Sequence, residues 1–268
     1  SGKPEFLQTD QNYYQADIFQ EPFDSATCGK INSWVNQNTD GMISQIIDTI
    51  KPDTKMYLIN ALAFDAEWQH IYENIDIHEN QKFTSASGQK QNVTMMHSSE
   101  NFYLESENAV GFLKPYAEGY SFAALLPEEG LSLEDYLASL TPEKLLNLLE
   151  NAQTTEVSVQ LPKFKTEFDL SLIDALTSMG MPSAFSGADF SGMSDTPLYI
   201  SDVLHKTYIE VDERGTKAGA VTAVIMDEEG LSVAHEPKFV TLDRPFIYMI
   251  LDDEQHLPLF IGAVRDIT

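Results

Sequence analysis

Nine consecutive residues, Met56-Tyr-Leu-Ile-Asn-Ala-Leu-Ala-Phe64, contain one polar side chain, Asn60. A run this short has the length of one strand, and because both of its alternating faces are apolar it calls for cover on both sides. It therefore predicts a strand in the interior of a sheet. Such a sheet needs a large core, and 268 residues with 43% hydrophobic side chains suffice for one in a single domain.

The remaining apolar pattern is mixed. Ile31, Trp34, Val35, Ile43, Ile46 and Ile47 recur at roughly helical spacing, which predicts an amphipathic helix interrupted near Gly41. From Val93 to Leu126 short apolar runs alternate with the turn signals Lys114-Pro115 and Glu118-Gly119, as antiparallel hairpins do. Leucines between Leu131 and Leu149 predict two short helices, the second started by Thr141-Pro142-Glu143. Val157 to Leu161 and Tyr199 to Val211 read as strands, and Leu170 to Met179 as a helix ended by Gly180. Phe246 to Leu251 and Leu259 to Val264 close the chain as two strands across a polar turn. Segregated helices and antiparallel strands make an α+β protein.

Charge and motifs narrow the function. With 42 acidic against 16 basic residues the formal charge is −26, which disfavours nucleic acid and anionic membrane surfaces as partners. One cysteine, Cys28, excludes an internal disulfide framework. No apolar run approaches the roughly 20 residues that span a bilayer, and Ser1-Gly2-Lys3 resembles a cut end rather than a signal peptide. The sequence holds no P-loop, dinucleotide-binding glycine motif, HExxH pair or GxSxG elbow. His70, His78, His97, His205, His235 and His256 lack metal-ligand spacing, so neither a metal nor a cofactor is expected. Asn92-Val-Thr94 is a glycosylation triplet of a kind that also arises by chance.

The most informative stretch is Tyr208 to Met226, followed by an acidic segment to Pro237. Gly215 to Ala223 is dominated by small residues, and Val221 to Ile225 favours strand, so the segment suits both exposure and entry into a sheet. Physical features alone favour an ordinary hairpin loop, or an edge strand with an acidic linker. The order of residues reverses that preference. Glu213-Arg-Gly215-Thr-Lys-Ala218-Gly-Ala-Val-Thr222-Ala resembles the hinge of the serpin family, a Glu-x-Gly-Thr start followed by small residues. Other serpin-like blocks stand in order: Ile31 to Ile43, Leu58 to Phe64 with Trp68, Pro115-Tyr116, Leu126-Pro127, Leu161-Pro-Lys-Phe164, Met179-Gly-Met181 and Asp189-Phe-Ser-Gly192. His205-Lys206, Arg244-Pro245-Phe246 and Pro258 to Gly262 complete a resemblance that covers essentially the whole chain.

The resemblance implies a serpin fold, helices around three β-sheets, as one domain over 1–268 with a reactive-centre loop at 213–237. It implies an inhibitor of serine or cysteine proteases rather than an enzyme: a suicide substrate whose cleaved loop enters the central sheet and drags the acylated protease along. Serpins are a standard instance of such strand addition and switching. The implied hinge comprises Glu213, Gly215, Thr216, Ala218, Gly219, Ala220, Thr222 and Ala223, and Thr216 to Ile225 is expected to be held by sheet insertion or by contacts. Lys217 departs from the family's usual acidic residue. Family spacing puts the scissile bond at Glu229-Gly230, while Met226 and Leu231 would suit proteases with apolar pockets. Asn60, Trp68 and His205 match positions where the sheet parts. About a hundred family residues expected before Lys3, helices and an interior strand among them, are absent, so an N-terminal segment is expected as a separate chain or as a piece lost to proteolysis. Secretion is a family expectation. The alternatives are a non-inhibitory serpin-like binding or chaperone protein and a hydrolase with an unrecognised site.

Overall fold

The computed structural model describes residues 2–216, 238–255 and 257–267. In chain order the elements are α1 (Pro4–Tyr14), α2 (Ser25–Asn38), β1 (Tyr57–Ala63), β2 (Ala66–Glu67), β3 (Ile77–Thr84), β4 (Lys90–Glu105), β5 (Ala109–Pro115) and β6 (Tyr120–Pro127). Then come α3 (Leu133–Ser139), α4 (Pro142–Glu150), β7 (Gln153–Pro162), β8 (Phe164–Ser171), α5 (Ile173–Ser178), β9 (Asp202–Val211) and β10 (Gly215–Thr216). After residues outside the description follow β11 (Lys238–Thr241), β12 (Phe246–Asp252) and β13 (Leu257–Val264). They group into two compact units, Ser1–Ala63 with Glu167–Tyr208, and Phe64–Thr166 with Ile209–Thr268.

In the first unit α2 starts on Asp24, whose carboxylate accepts the Thr27 N–H at 2.9 Å and so satisfies an otherwise unpaired first-turn donor. The helix stops at Asn38, and Gly41 at φ +79° turns the chain through a conformation that glycine adopts at little cost. Beyond it Ile43, Ile46 and Ile47 remain buried with Val35 and Tyr208, but on irregular chain and not on the second helical stretch that their spacing predicts. Asn32 supplies the hydrogen bonds a helix would have made. Its Oδ1 accepts the N–H groups of Ile46 at 3.0 Å and Ile47 at 3.2 Å, and its Nδ2 donates to the Ile47 carbonyl at 2.8 Å.

β1 runs parallel to β9, from Tyr57 opposite Asp202 to Ala63 opposite Tyr208. Cover on both faces and an interior position are not what the described residues provide. There β1 pairs with β9 alone, and Leu58 and Leu62 are 43% and 37% exposed while Tyr57, Ile59 and Ala61 pack inward. The run is apolar on both faces, but only one of them meets a partner among the described residues. β8 also pairs β9 and continues to Ser171, so the helix predicted from Leu170 begins only at Ile173; it ends before Gly180 at φ +103°.

In the second unit eight strands form one ladder in the order β11-β7-β4-β5-β6-β12-β13, with β3 also on β4. Strand β4 links the strands on its two edges into this one hydrogen-bonded network, and the mixed helices and strands are those of the expected α+β fold. That strand is 16 residues long; its first half pairs with β3 and its last residues with β5 on the same edge, while β7 follows its other edge. The hairpins predicted between Val93 and Leu126 are β4, β5 and β6. α3 and α4 form as predicted, capped by Ser132 and Thr141, with Pro142 in the first turn. They bury Leu133, Tyr136, Leu148 and Leu149 against Leu104, Leu125, Ile247 and Met249. The largest core gathers Phe83, Phe112, Phe122, Phe164, Phe246 and Tyr248, with Phe122 and Tyr248 stacked at 6°.

Tyr248 lies across β13 at Gly262, where an added Cβ would stand 2.3 Å from the ring. The buried ring is hemmed in by Phe122 and Phe164, with centroids at 6.2 Å and 5.3 Å, and its hydroxyl is bonded to Thr166 at 2.8 Å. Gly262→Ala should therefore destabilise the protein by about 1–3 kcal/mol through overpacking. Urea denaturation measures this as a lower midpoint at the parent's slope; an unchanged midpoint would contradict the packing described.

Candidate functional site

The hinge begins where β9 ends, in the second unit. Asp212 makes the reversal: its N–H donates to the Gly215 carbonyl at 3.0 Å, and its Oδ1 accepts from the N–H groups of Arg214 at 2.8 Å and Gly215 at 3.2 Å. A carboxylate folding the backbone after it in this way fixes a tight turn. The turn lays Gly215 and Thr216 antiparallel to β2, Gly215 opposite Glu67 and Thr216 opposite Ala66, with Thr216 also antiparallel to Val211 of β9. Gly215 is required here, because a Cβ would lie 2.1 Å from the Ala66 carbonyl oxygen.

Thr216 is 0% exposed, and its hydroxyl is hydrogen-bonded to that of Tyr116 at 2.5 Å. Burial pushes the Tyr116 phenol well above its ordinary range, so it stays protonated and can serve as the donor. Tyr116 in turn stacks on Trp68, with ring centroids 4.4 Å apart and planes at 12°. Trp68 and Tyr72 receive the carbonyls of the turn. The Trp68 indole donates to Asp212 O, the Tyr72 N–H to Glu213 O and the Trp68 N–H to Arg214 O, each at 2.9 Å. Two ion pairs flank the turn, Arg214 with Glu67 at 2.8 Å and Glu213 with Lys163.

Asn60 and His205 belong to the first unit, on β1 and β9. They face each other in register, and Asn60 Oδ1 lies 2.9 Å from His205 Nδ1. This side-chain bond spans the seam between two parallel strands, adding to their slanted backbone ladder. The edge of Phe168 on β8 approaches the His205 ring, with centroids 6.4 Å apart.

The structure thus places Glu213, Gly215 and Thr216 with Trp68, and Asn60 with His205. Hinge residues Ala218, Gly219, Ala220, Thr222 and Ala223, the loop positions Met226, Glu229, Gly230 and Leu231, and the expected ordering from Lys217 to Ile225 lie outside the described residues. Sequence reasoning assigned no role to Tyr116, Tyr72, Lys163, Asp212 or Glu67. The signals available were weak: Tyr116 and Lys163 sit in the family-like blocks, whereas Tyr72 stands in a polar stretch with no pattern.

The hydrogen bond from Lys163 holds the Glu213 carboxyl below the usual glutamate range, with partial burial opposing it. A carboxyl favoured as carboxylate in the folded state contributes its full stability above the unfolded value of about 4.3, and loses it as pH falls through the lower folded value. Glu213→Gln should therefore be less stable than the parent at neutral pH, with the difference closing below about pH 4. Unfolding midpoints from pH 7 to pH 3 check this, and a gap that stays constant would contradict it.

Comparison with known proteins agrees with this geometry. The family described as Serpin (serine protease inhibitor) matches residues 1–267. A serpin-like protein of Thermococcus kodakarensis is 35% identical over 272 residues, covering 98% of this chain; the chain spans 63% of that relative's length. The thermophilic serpin tengpin in its native state is 49% identical and superposes with a TM-score of 0.91 over 100% of this chain and 70% of its own. Thyroxine-binding globulin in complex with thyroxine is 27% identical, with a TM-score of 0.87 over 100% of this chain and 72% of its own. A family match along nearly the whole sequence, and a Glu-x-Gly-Thr hinge folded against the tryptophan that the family pattern singles out, place the chain in the serpin family.

Proposed function

We propose that the protein inhibits serine proteases as a suicide substrate, the protease cutting the loop beyond Thr216 and being trapped as the cut strand enters the sheet between β1 and β9. The observation that carries this reading is β10. Within the loop, Gly215 and Thr216 already pair antiparallel with β2 and Thr216 also with β9, so a strand prolonged from them has the polarity that insertion needs. Inserted antiparallel to β1 and β9, it would exchange the seven-position parallel ladder for two antiparallel ones, which are slightly more stable per residue. It would also give every inserted N–H and C=O a backbone partner. Small side chains at Ala218, Gly219, Ala220 and Ala223 keep the steric cost of entry low. Thyroxine-binding globulin shares the fold, so the support for this reading comes from the hinge and its seat.

The test is incubation with trypsin-, chymotrypsin-, elastase- and glutamate-specific proteases, followed by a denaturing gel. The expected result is a covalent band with one of them, and a released fragment starting at Gly230 or at a neighbouring position after Met226. Clean cleavage by every enzyme without a complex would overturn the proposal in favour of a non-inhibitory binding protein.

A substitution separates cutting from trapping. Thr216→Glu puts a charge where the parent side chain is fully buried, a site whose effective penalty is several kcal/mol for an unpaired ion. The expected outcome is a loop cut at the parent's rate with little complex, so that several times more inhibitor is consumed per protease. Complex formation at the parent's yield would contradict the role given to Thr216.

A further inference from the structure

We infer that the buried ion pair of Lys114 and Glu100 is a positioning element of the hinge seat, clamping the segment Trp68 to Tyr72 against the turn that feeds the loop. This rests on the inhibitory reading above for its functional meaning, though not for its geometry. Lys114 on β5 and Glu100 on β4 meet at 2.7 Å with side chains 2% and 6% exposed. Burying two charges is costly enough that apolar residues of similar volume often serve stability as well, so the pair calls for a use other than stability.

The surroundings of Nζ supply that use. Besides Glu100, it donates to the His70 carbonyl at 3.3 Å and lies over the rings of Tyr72 at 4.5 Å and Trp68 at 5.4 Å. An ammonium has three donors, and here one goes to Glu100 while its other interactions among the described residues fall on residues 68 to 72. That segment lies beyond β2 and has no extended ladder among the described residues; its neighbours on the β5 side are the Trp68–Tyr116 bridge and the Gln69 N–H bond to Pro115 O at 3.0 Å. On its other side it holds the three consecutive turn carbonyls of Asp212, Glu213 and Arg214. Lys114 thus grips from behind the residues that grip the hinge from the front. A strand prolonged from β10 starts at this turn, so the clamp holds its starting point in place, whereas a strand from outside that took the place of Thr216 would have to loosen those three bonds.

The test uses the whole protein with Trp34→Phe, leaving Trp68 as the one tryptophan of the chain's two. In that background Lys114→Met with Glu100→Leu removes both charges without leaving either one buried alone, and Lys114→Arg keeps the cation. Three readouts are taken: the urea midpoint, amide hydrogen exchange at Trp68 and Tyr72, and the rate at which a synthetic peptide of sequence 216–225 changes Trp68 emission. In the double variant the expectation is a midpoint at or above the parent's, exchange at those two amides faster on the order of tenfold, as for loss of one charge-assisted interaction, and correspondingly faster peptide uptake. Lys114→Arg should stay near the parent. Exchange at Trp68 and Tyr72 that is unchanged, or that rises only in step with a lower midpoint, would overturn the inference. Failure of the peptide to enter even the parent would count against the insertion reading, while the exchange data still decide the clamp.

Discussion

The hinge depends on one close approach, Gly215 against the carbonyl of Ala66. An added Cβ there would stand 2.1 Å from that oxygen, so the antiparallel contact of β10 with β2 exists only because the residue has no side chain. Once Gly215 is seated, Thr216 falls between Ala66 and Val211, its hydroxyl reaches Tyr116, and the stacked Tyr116 and Trp68 rings close over it. Burial then enforces the hydrogen bonds, since a hydroxyl or carbonyl left unpaired in that setting costs about 1–3 kcal/mol. Each contact is local and ordinary. Together they hold the loop's first residues in strand geometry while its sequence retains small side chains suited to further entry.

Charge has two roles around this turn. The pairs Glu213–Lys163 and Arg214–Glu67 are partly solvated, so solvent and salt screen them and they guide the turn more than they stabilise it. Lys114 and Glu100 are buried, and their value lies in direction, because the ammonium is aimed at the two aromatic residues that carry the turn's hydrogen bonds. The acidity of the chain as a whole explains neither arrangement. The hinge is set by individual contacts and not by overall charge.

Local signals were the ones legible in the sequence. Thr141-Pro142 and the leucine spacing foretold α4, and the turn residues between Val93 and Leu126 foretold the hairpins, because caps and turns act over a few residues. Helical spacing misled at Ile43, Ile46 and Ile47, which are buried on irregular chain because Asn32 replaces the helical hydrogen bonds from 14 and 15 residues away. The run at Met56 to Phe64 told of a strand, but not of which faces would be covered. Glu213, Gly215 and Thr216 were found through family resemblance, whereas small-residue composition alone suggested an ordinary loop. Lys114 within Ala109-Val-Gly-Phe-Leu-Lys-Pro115 is a charge in an apolar run, a visible oddity whose partner, Glu100, pattern cannot name because it comes from another strand.

Under the proposed function, the seam of β1 and β9 is a closed slot that the cut strand enters. The most direct measurement is thermal unfolding of the protein before and after its loop is cut between Met226 and Leu231 by a protease that is then removed. If the cut segment enters the seam, the cleaved protein must unfold at a clearly higher temperature than the intact one, because two antiparallel ladders have replaced one parallel ladder. An equal or lower unfolding temperature after a clean cut would contradict the account.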